Sequence, residues 1–77
     1  MALEYDSEAD AVYIRLRDAP YSFGHNLDYE RRIDYGPDEK PIVIELLGVS
    51  HGVNLDDLPE KEAVARLLEQ HNIEVFA

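Results

Sequence analysis

Three carboxylates stand at alternate positions near the start of the chain, within the stretch "YDSEADAVYIRL". They are Asp6, Glu8 and Asp10. Alternating oxygen ligands of this kind open a calcium-binding loop of the EF-hand type, which also needs a glycine at its sixth position and a glutamate at its twelfth. Counted from Asp6, those positions hold Ala11 and Arg17, so the stretch is not an EF-hand.

Turn formation is the simpler role for these carboxylates, because they lie between two stretches with strand character. Asp6 and Ser7 favour turns through hydrogen bonds between the side chain and nearby backbone groups. On this interpretation Asp6 caps the turn, while Glu8 and Asp10 are solvated. The alternative is a divalent-metal or small-ligand site that combines the three carboxylates with a histidine, although no signature spacing supports it.

The other residues that commonly do chemistry show no signature spacing either. His25, His51 and His71 are far apart and lack the pattern of two histidines four residues apart that binds a metal. Ser50–His51 resembles part of a hydrolase triad, but the chain has no G-x-S-x-G elbow and little room for an oxyanion hole. We therefore predict a non-enzymatic protein with no catalytic residue, no metal site and no cofactor.

The composition describes one small, acidic domain. The 77 residues are 45% hydrophobic and contain no cysteine, so we expect folding without a disulfide or a cysteine-based metal site. Seventeen Asp and Glu residues against seven Lys and Arg give a net charge of −10. This charge repels phosphate backbones and disfavours nucleic acid as a partner. The acids either solubilise the surface or form a face for a basic partner.

The hydrophobic runs of the chain are short. None approaches the roughly 18 residues of a membrane span, and the first residues have no signal-peptide character. The absence of cysteine fits a reducing compartment. The expectation is therefore a cytoplasmic protein without a membrane partner.

Alternation of hydrophobic and polar residues predicts strands over most of the chain. Leu3 and Tyr5 alternate with polar neighbours, and an apolar run follows at residues 11–16. The clearest alternation, at residues 25–35, predicts a single strand with one dry face and one wet face. The turn "GPDEKP" precedes a further strand at residues 42–47.

A helix is predicted after these strands. Asp57, followed three residues later by Glu60, fits a capping box at its start, and Asn72 fits a left-handed C-cap. An apolar stripe runs along the segment between them, as expected for a helix that covers a sheet. Residues 73–76 either return as a short terminal strand or pack against the core.

Together these elements predict an α+β fold in a single domain, residues 1–77. The economical architecture is an antiparallel four-stranded meander with the C-terminal helix packed on its dry face. Leu67 and Leu68 of the helix are then buried against Ile44 and Ile14.

Two stretches, "YDSEADAVYIRLRDAP" and "IDYGPDEKPIVIELLGVS", resemble the small prokaryotic proteins called domain of unknown function 2283. The residues that carry the resemblance are Tyr5, Asp6, Glu8, Ala9, Asp10, Ala11, Tyr13 and Ile14 in the first motif, and Asp34, Tyr35, Ile44 and Glu45 in the second. The resemblance covers about residues 3–50. The chain departs from the family at Arg31 and Arg32, where the family tends to be apolar.

The resemblance implies a small β-rich part over residues 1–50. The helix and C-terminal extension over residues 56–77 lie outside the resemblance and are predicted from the residue pattern alone. The resemblance implies no established activity and no catalytic residues. Some members are encoded beside small toxin-like proteins, which implies an antitoxin or immunity-like role by association. The candidate functional residues are those of the first motif: Tyr5, Asp6, Glu8, Asp10 and Tyr13.

Exposed apolar residues favour protein–protein contact as the function. Tyr5, Tyr29 and Tyr35 are expected to fill the core, whereas Tyr13 and Tyr21 suit an interface, where tyrosine is enriched. The candidate interface consists of Tyr13, Tyr21, Val43 and Leu47. Because one short helix covers a single sheet face, we expect a homo-oligomer, most simply a twofold dimer. The other expected partner is a basic protein, and a purely structural homo-oligomer is the alternative.

Overall fold

The computed structural model describes all 77 residues as seven strands, one 3-10 turn and one α-helix. The elements are β1 (Ala2–Asp6), β2 (Ala11–Arg15), β3 (Phe23–Asn26), β4 (Arg31–Tyr35), β5 (Pro41–Leu47), the 3-10 turn Val49–His51, β6 (Val53–Asn54), α1 (Lys61–Gln70) and β7 (Val75–Phe76). The predicted α+β class with one C-terminal helix is confirmed. The helix has ten residues, and no helix here is both long and apolar enough to cross a membrane.

The first five strands form one antiparallel sheet in the order β1-β2-β5-β4-β3. The sheet therefore has five strands, and the prediction of four was wrong. The order also differs from that of a meander, because β5 lies at the centre between β2 and β4. Alternate residues of β5, Ile42, Ile44 and Leu46, are all buried, and its central position gives it backbone partners on both edges.

The extra strand arises within residues 25–35, which were predicted as one strand. Here β3 and β4 form a hairpin, in which the N–H of Leu27 donates to the carbonyl of Arg31 at 2.8 Å. The turn is stabilised by Asp28, whose carboxylate accepts the backbone N–H of Glu30 at 2.9 Å. Apolar residues continue at every second position across this aspartate turn, and only Arg31 breaks the row, so the sequence pattern predicted one strand.

The C-terminal extension (residues 51–77) closes one face of the sheet, which we call the covered face. The residues with no exposed area in this shared core are Val12, Ile14, Ile44 and Leu46 of the sheet with Val64 and Leu68 of the helix. The prediction for Leu68 is confirmed. Leu67 is only partly buried at the margin of the same core, so the prediction that both leucines are buried was half wrong.

The end of the helix follows the predicted pattern. Asn72 adopts a left-handed φ of 61°, and its N–H donates to the carbonyl of Glu69 at 3.0 Å. The N–H of Ile73 donates to the carbonyl of Leu68 at 3.0 Å, which completes a Schellman motif with its apolar contact. The chain then returns as β7, which pairs in parallel with β6 of the same chain.

The start of the helix differs from the predicted capping box. The helix begins at Lys61, and its N-cap Glu60 has φ 51° with no hydrogen bond from its side chain. Asp57 also lies in the left-handed region, at φ 65°. Leu55 and Leu58 are both buried, and the N–H of Leu58 donates to the carbonyl of Leu55. The chain thus turns at Asp57 and Glu60, and these two residues do not form the predicted capping box.

The tyrosines expected in the core are mostly exposed. Tyr29 lies in the β3–β4 turn and is fully exposed, and Tyr5 on the edge strand β1 is 53% exposed. Tyr35 is partly buried and stacks on Phe23, with 4.9 Å between the ring centroids. The predictions for Tyr5 and Tyr29 were wrong, because one lies on an edge strand and the other in a turn, where neither is covered.

Candidate functional site

The turn between β1 and β2 is held by the first of the three alternate carboxylates. Asp6 Oδ1 accepts the backbone N–H groups of Glu8 and Ala9, each at 3.1 Å. Glu8 is exposed and its side chain forms no hydrogen bond within the chain. Asp6 therefore caps the turn as expected, and Glu8 is solvated as expected.

Asp10 has a different role from the predicted one. Its carboxylate accepts the N–H of Ser50 at 3.0 Å and the hydroxyl of Ser50 at 2.7 Å. Its backbone carbonyl accepts the N–H of Val49 at 3.2 Å. Asp10 also has a left-handed φ of 52°, which aspartate tolerates better than most residues. The prediction that Asp10 is only solvated was wrong, because a contact across 40 residues cannot be detected from local spacing.

Carboxylates from two distant turns lie at the same end of the sheet. Asp6 pairs with Ala11, which pairs in turn with Leu47 at the end of β5. The β3–β4 turn meets them there, because the N–H of Leu47 donates to the carbonyl of Glu30 at 2.8 Å. We call the carboxylates of these two turns the acidic end; they are Asp6, Glu8, Asp10, Asp28 and Glu30.

The acidic end has one basic partner, the Arg31 side chain. Arg31 Nε donates to Asp28 at 2.8 Å. The backbone N–H of Glu30 lowers the pKa of Asp28, burial partly opposes that shift, and Arg31 lowers the pKa further. The other four carboxylates of the acidic end form no salt bridge, so this end keeps a strong negative charge.

The opposite end of the sheet is electrically balanced. Its acids and bases are Asp18, Asp38 and Glu39 with Arg15, Arg17 and Lys40. Arg17 donates to Asp38 at 2.7 Å and to the backbone carbonyls of Lys40 and Pro41. The hydrogen bond from Arg17 lowers the pKa of the Asp38 carboxyl. The negative charge of the chain is therefore not spread evenly over the sheet.

The three alternate carboxylates do not converge on a common point. Asp6 binds backbone groups of its own turn, and Asp10 binds Ser50. No group of three or more His, Asp and Glu side chains in the structure is arranged to hold a metal ion. The geometry thus lends no support to the alternative of a metal site on this turn.

Arg31 connects the sheet to the C-terminal extension. It lies on the covered face, in register with Leu46, and its side chain is 11% exposed. Its Nη1 donates to the backbone carbonyls of Asn54 and Asp56. Arg31 thereby links the sheet to two backbone carbonyl groups of the extension. This contact gives a physical role to an arginine that departs from the expected apolar pattern.

The face of the sheet away from the extension is crossed by two rows of residues, each with one member on every strand. The first row is Glu4, Tyr13, Glu45, Arg32 and Asn26, and the second is Ala2, Arg15, Val43, Asp34 and Gly24. Leu47 extends the apolar part of this surface and is 46% exposed. We call the two rows and Leu47 the open face, because none of these residues belongs to the core shared with the helix.

The predicted interface residues lie on or beside the open face. Tyr13 and Val43 are half-buried within it, and Leu47 stands at its edge. Tyr21 is 59% exposed and its hydroxyl lies 3.3 Å from Arg32 Nη2. The structure therefore brings these four residues to one side of the sheet.

Arg32 is the centre of the polar network on the open face. Its guanidinium binds Asp34 at 3.1 Å and Asn26 at 3.0 Å, and it lies 3.8 Å from Glu45. The hydrogen bonds to Asp34 and Tyr21 raise the pKa of Arg32. The side chain leans towards β3, where a Cβ atom at Gly24 would overlap the guanidinium. Glycine at this position therefore allows Arg32 to lie flat across the edge strand.

A shallow depression of about 490 Å³ lies where the open face meets the acidic end. Its wall includes Tyr29, Glu30, Glu45 and Leu47. It is a broad groove between the β3–β4 turn and the end of β5, and most of its wall is polar, with Arg31 and Arg32 beside the acidic side chains. Such a surface suits contact with another protein better than enclosure of a small molecule.

A family model described as protein of unknown function (DUF2283) matches residues 2–50. The chain belongs to this family. The DUF2283 part comprises the whole five-stranded sheet and ends at Ser50, the residue that Asp10 holds. The C-terminal extension, which covers one face of the sheet, lies beyond the matched region. Neither the curated proteins nor the solved structures include a match to this chain.

Two functional features were not detected in the sequence. The Asp10–Ser50 contact and the Arg31 contacts with the extension both join residues more than 20 positions apart. A partial signal was present for Arg31, because a charged residue within a row of apolar residues needs a polar partner. For Asp10 no local pattern distinguished it from Glu8.

Proposed function

We propose that this DUF2283 protein acts by protein–protein contact and that its acidic end binds a basic protein. The observation that carries the proposal is the gathering of five carboxylates from two distant turns, with Arg31 as their one basic partner. Across the whole chain, salt bridges use four of the 17 acids. Most of the negative charge is therefore available to another molecule.

The arrangement of these carboxylates favours a protein over an ion as the partner. The side chains extend from separate turns and do not converge. A basic protein surface presents several cations at spacings of many ångströms, which such a dispersed set can match. Complementary charge of this kind raises association rates and selects the partner, and salt weakens it.

An antitoxin or immunity-like role is the form of this function that we favour. In that role the protein masks the cationic surface that a ribonuclease-type toxin uses on its substrate. The support is the acidic end, and the family resemblance implies the same role by association.

Affinity capture from the native host, followed by binding measurements with the purified partner, tests this proposal. We expect a basic protein at one-to-one stoichiometry, whose affinity falls as salt is raised. The double variant Glu8→Gln/Glu30→Gln should weaken binding by at least about tenfold, as expected for two interfacial charges. The variant Glu69→Gln/Glu74→Gln changes the net charge equally and is the matched control. Equal losses in both variants would show that overall charge, not the acidic end, causes binding.

The proposal includes self-association of the free protein, most simply as a twofold dimer. The support is the open face, on which Tyr13 and Val43 are only half-buried and Leu47 is 46% exposed. Size exclusion with light scattering, across a hundredfold dilution at 0.15 M salt, measures the oligomeric state. A single species of 8.8 kDa at every concentration would contradict this part of the proposal.

A further inference from the structure

We propose that two copies of this chain meet through the open face, about a twofold axis parallel to β5. This inference rests on the self-association proposed above and adds the surface and its geometry. The central position of β5, with two strands on each side, is the feature that permits such an axis. The arguments come from the charge, the register and the apolar residues of this face.

Within its two rows, the open face carries little net charge. Its two rows carry Glu4, Glu45 and Asp34 against Arg15 and Arg32, so positive and negative charges nearly balance. The chain as a whole has a net charge of −10. Charges outside the interface are screened over about 8 Å at physiological salt. Within the two rows, two copies can therefore approach each other at a small electrostatic cost.

The register of the sheet then places opposite charges against each other. Rotation about an axis parallel to β5 keeps each residue in its row and sets β2 above β4 of the second copy. Arg15 consequently faces Asp34 of the second copy. Arg15 forms no ion pair within its own chain, and Asp34 uses only Oδ1 to bind Arg32. Each of the two residues thus has capacity for a partner across the interface.

Arg32 provides the second pair of opposite charges. Its guanidinium leans over β3, where it binds Asn26 and lies above Gly24. The same rotation sets β3 above β1 of the second copy, so Arg32 comes towards Glu4 of that copy. Glu4 forms no salt bridge within its own chain. Symmetry repeats both ion pairs, which gives four across the dimer.

The residues of β5 lie along the axis and meet their own counterparts. Val43 and Leu47 supply apolar contacts there, and Tyr13 flanks them. Two sheets in face-to-face packing lie about 10 Å apart, a distance that side chains of this size can span. Glu45 also meets its counterpart, and the same rotation brings the two acidic ends together at one end of the dimer. Both contacts are unfavourable; the position of Glu45, 3.8 Å from Arg32, offsets the first, and salt screens the second.

The first experiment compares two arginine reversals that change the net charge equally. Arg15→Glu lies on the open face, whereas Arg66→Glu lies on an exposed part of the helix and breaks no salt bridge. Sedimentation equilibrium of the full chain should show at least about tenfold weaker self-association for Arg15→Glu, as expected when like charges face each other. The Arg66→Glu dissociation constant should stay within about threefold of the unmodified protein. Circular dichroism confirms that both variants are folded.

The second experiment predicts a gain of affinity. Glu45→Gln removes the repulsion at the axis and should tighten the dimer by more than Glu69→Gln, which removes an equal charge from the helix. A dimer that Glu45→Gln weakens, or tightens no more than the control does, would overturn the proposed axis.

The outcomes separate this inference from the proposed function. An unmodified protein that stays monomeric removes self-association and this inference together, but leaves the binding of a basic protein at the acidic end unaffected. A stable dimer that responds equally to Arg15→Glu and Arg66→Glu keeps self-association and removes the open face as its surface.

Discussion

The two faces of the sheet are made by alternate residues of the same strands, yet they differ in what they touch. On the covered face, Val12, Ile14 and Ile44 have no exposed area, because the C-terminal extension packs on them. On the open face, Tyr13 and Val43 remain half-buried between the same strands. The difference shows that the DUF2283 part supplies two partly apolar faces, and that the extension supplies a cover for only one.

Removal of the extension should have the largest effect on this comparison. A chain that ends at Gly52 exposes the covered face and loses six residues of the core, namely Val53, Leu55, Leu58, Val64, Leu68 and Ile73. We expect no cooperative unfolding transition, because a chain of this size has little stability to lose. Thermal and urea denaturation followed by circular dichroism provides the measurement. An unchanged midpoint in the truncated chain would show that the extension is an appendage.

Three leucine-to-alanine substitutions compare the two faces directly. Leu68→Ala leaves a cavity in the covered core and should lower the free energy of unfolding by about 2–5 kcal/mol. Leu47→Ala on the open face should cost the monomer less than about 1 kcal/mol, because that side chain is 46% exposed. Leu67→Ala, at the margin of the core, should fall between them. Urea titration at a concentration where the protein is monomeric measures all three, and similar costs for Leu68 and Leu47 would remove the distinction between the faces.

The two neighbouring arginines allow the same comparison for polar groups. Arg31→Met leaves the carbonyls of Asn54 and Asp56 without their donor and should cost about 1–3 kcal/mol. Arg32→Met removes side-chain hydrogen bonds on the open face, where water can replace them. It should lower the free energy of unfolding by less than about 1 kcal/mol. Chemical denaturation gives both values. The ranking would be reversed if the Arg32 network, not the Arg31 contacts, held the fold together.

The contact between Asp10 and Ser50 joins the first turn of the DUF2283 part to its last residue. Asp10→Ala removes both hydrogen bonds to Ser50 and places alanine at a left-handed φ, so we expect a loss of about 1–2 kcal/mol. Asp10→Asn keeps an acceptor and tolerance of that φ, and should recover part of the loss. Glu8→Ala, two residues earlier, is the control, and its unfolding midpoint should not move. A loss at Glu8 as large as that at Asp10 would contradict the assigned roles.

The smallest expected effect concerns the pH dependence of stability. The pKa of Asp28 is lowered from its ordinary value of 3.8 in the folded state, so its ionised form contributes stability above that value. This contribution is lost as the pH falls from about 4 through the lower folded pKa. Asp28→Asn should therefore reduce the stability difference between neutral and acidic pH. Identical pH profiles for the variant and the unmodified protein would show that the Asp28 interactions add nothing to stability.

Alternation and capping patterns in the sequence were sufficient for the elements whose contacts are local. The strands at β2 and β5, the presence of the helix and the left-handed Asn72 at its end were predicted correctly, whereas the capping box at the start of the helix was wrong. Each correct prediction depends on residues within a few positions of one another, where the geometry of strand and helix fixes which side chains share a face. The turn at Asp28 was missed because apolar residues continue at every second position across it, apart from Arg31.

The tertiary structure alone determined the arrangement of these elements and of the candidate sites. β5 lies between β2 and β4, the extension selects one face of the sheet, and the turns at Asp6 and Asp28 meet at one end. These outcomes depend on strand pairing between distant residues, and pairing depends on the burial of the whole sheet and not on any local pattern. The sequence determined that the chain is acidic, small and rich in strands. The fold determined where the carboxylates gather, because only the pairing of strands brings the two distant turns to one end of the sheet.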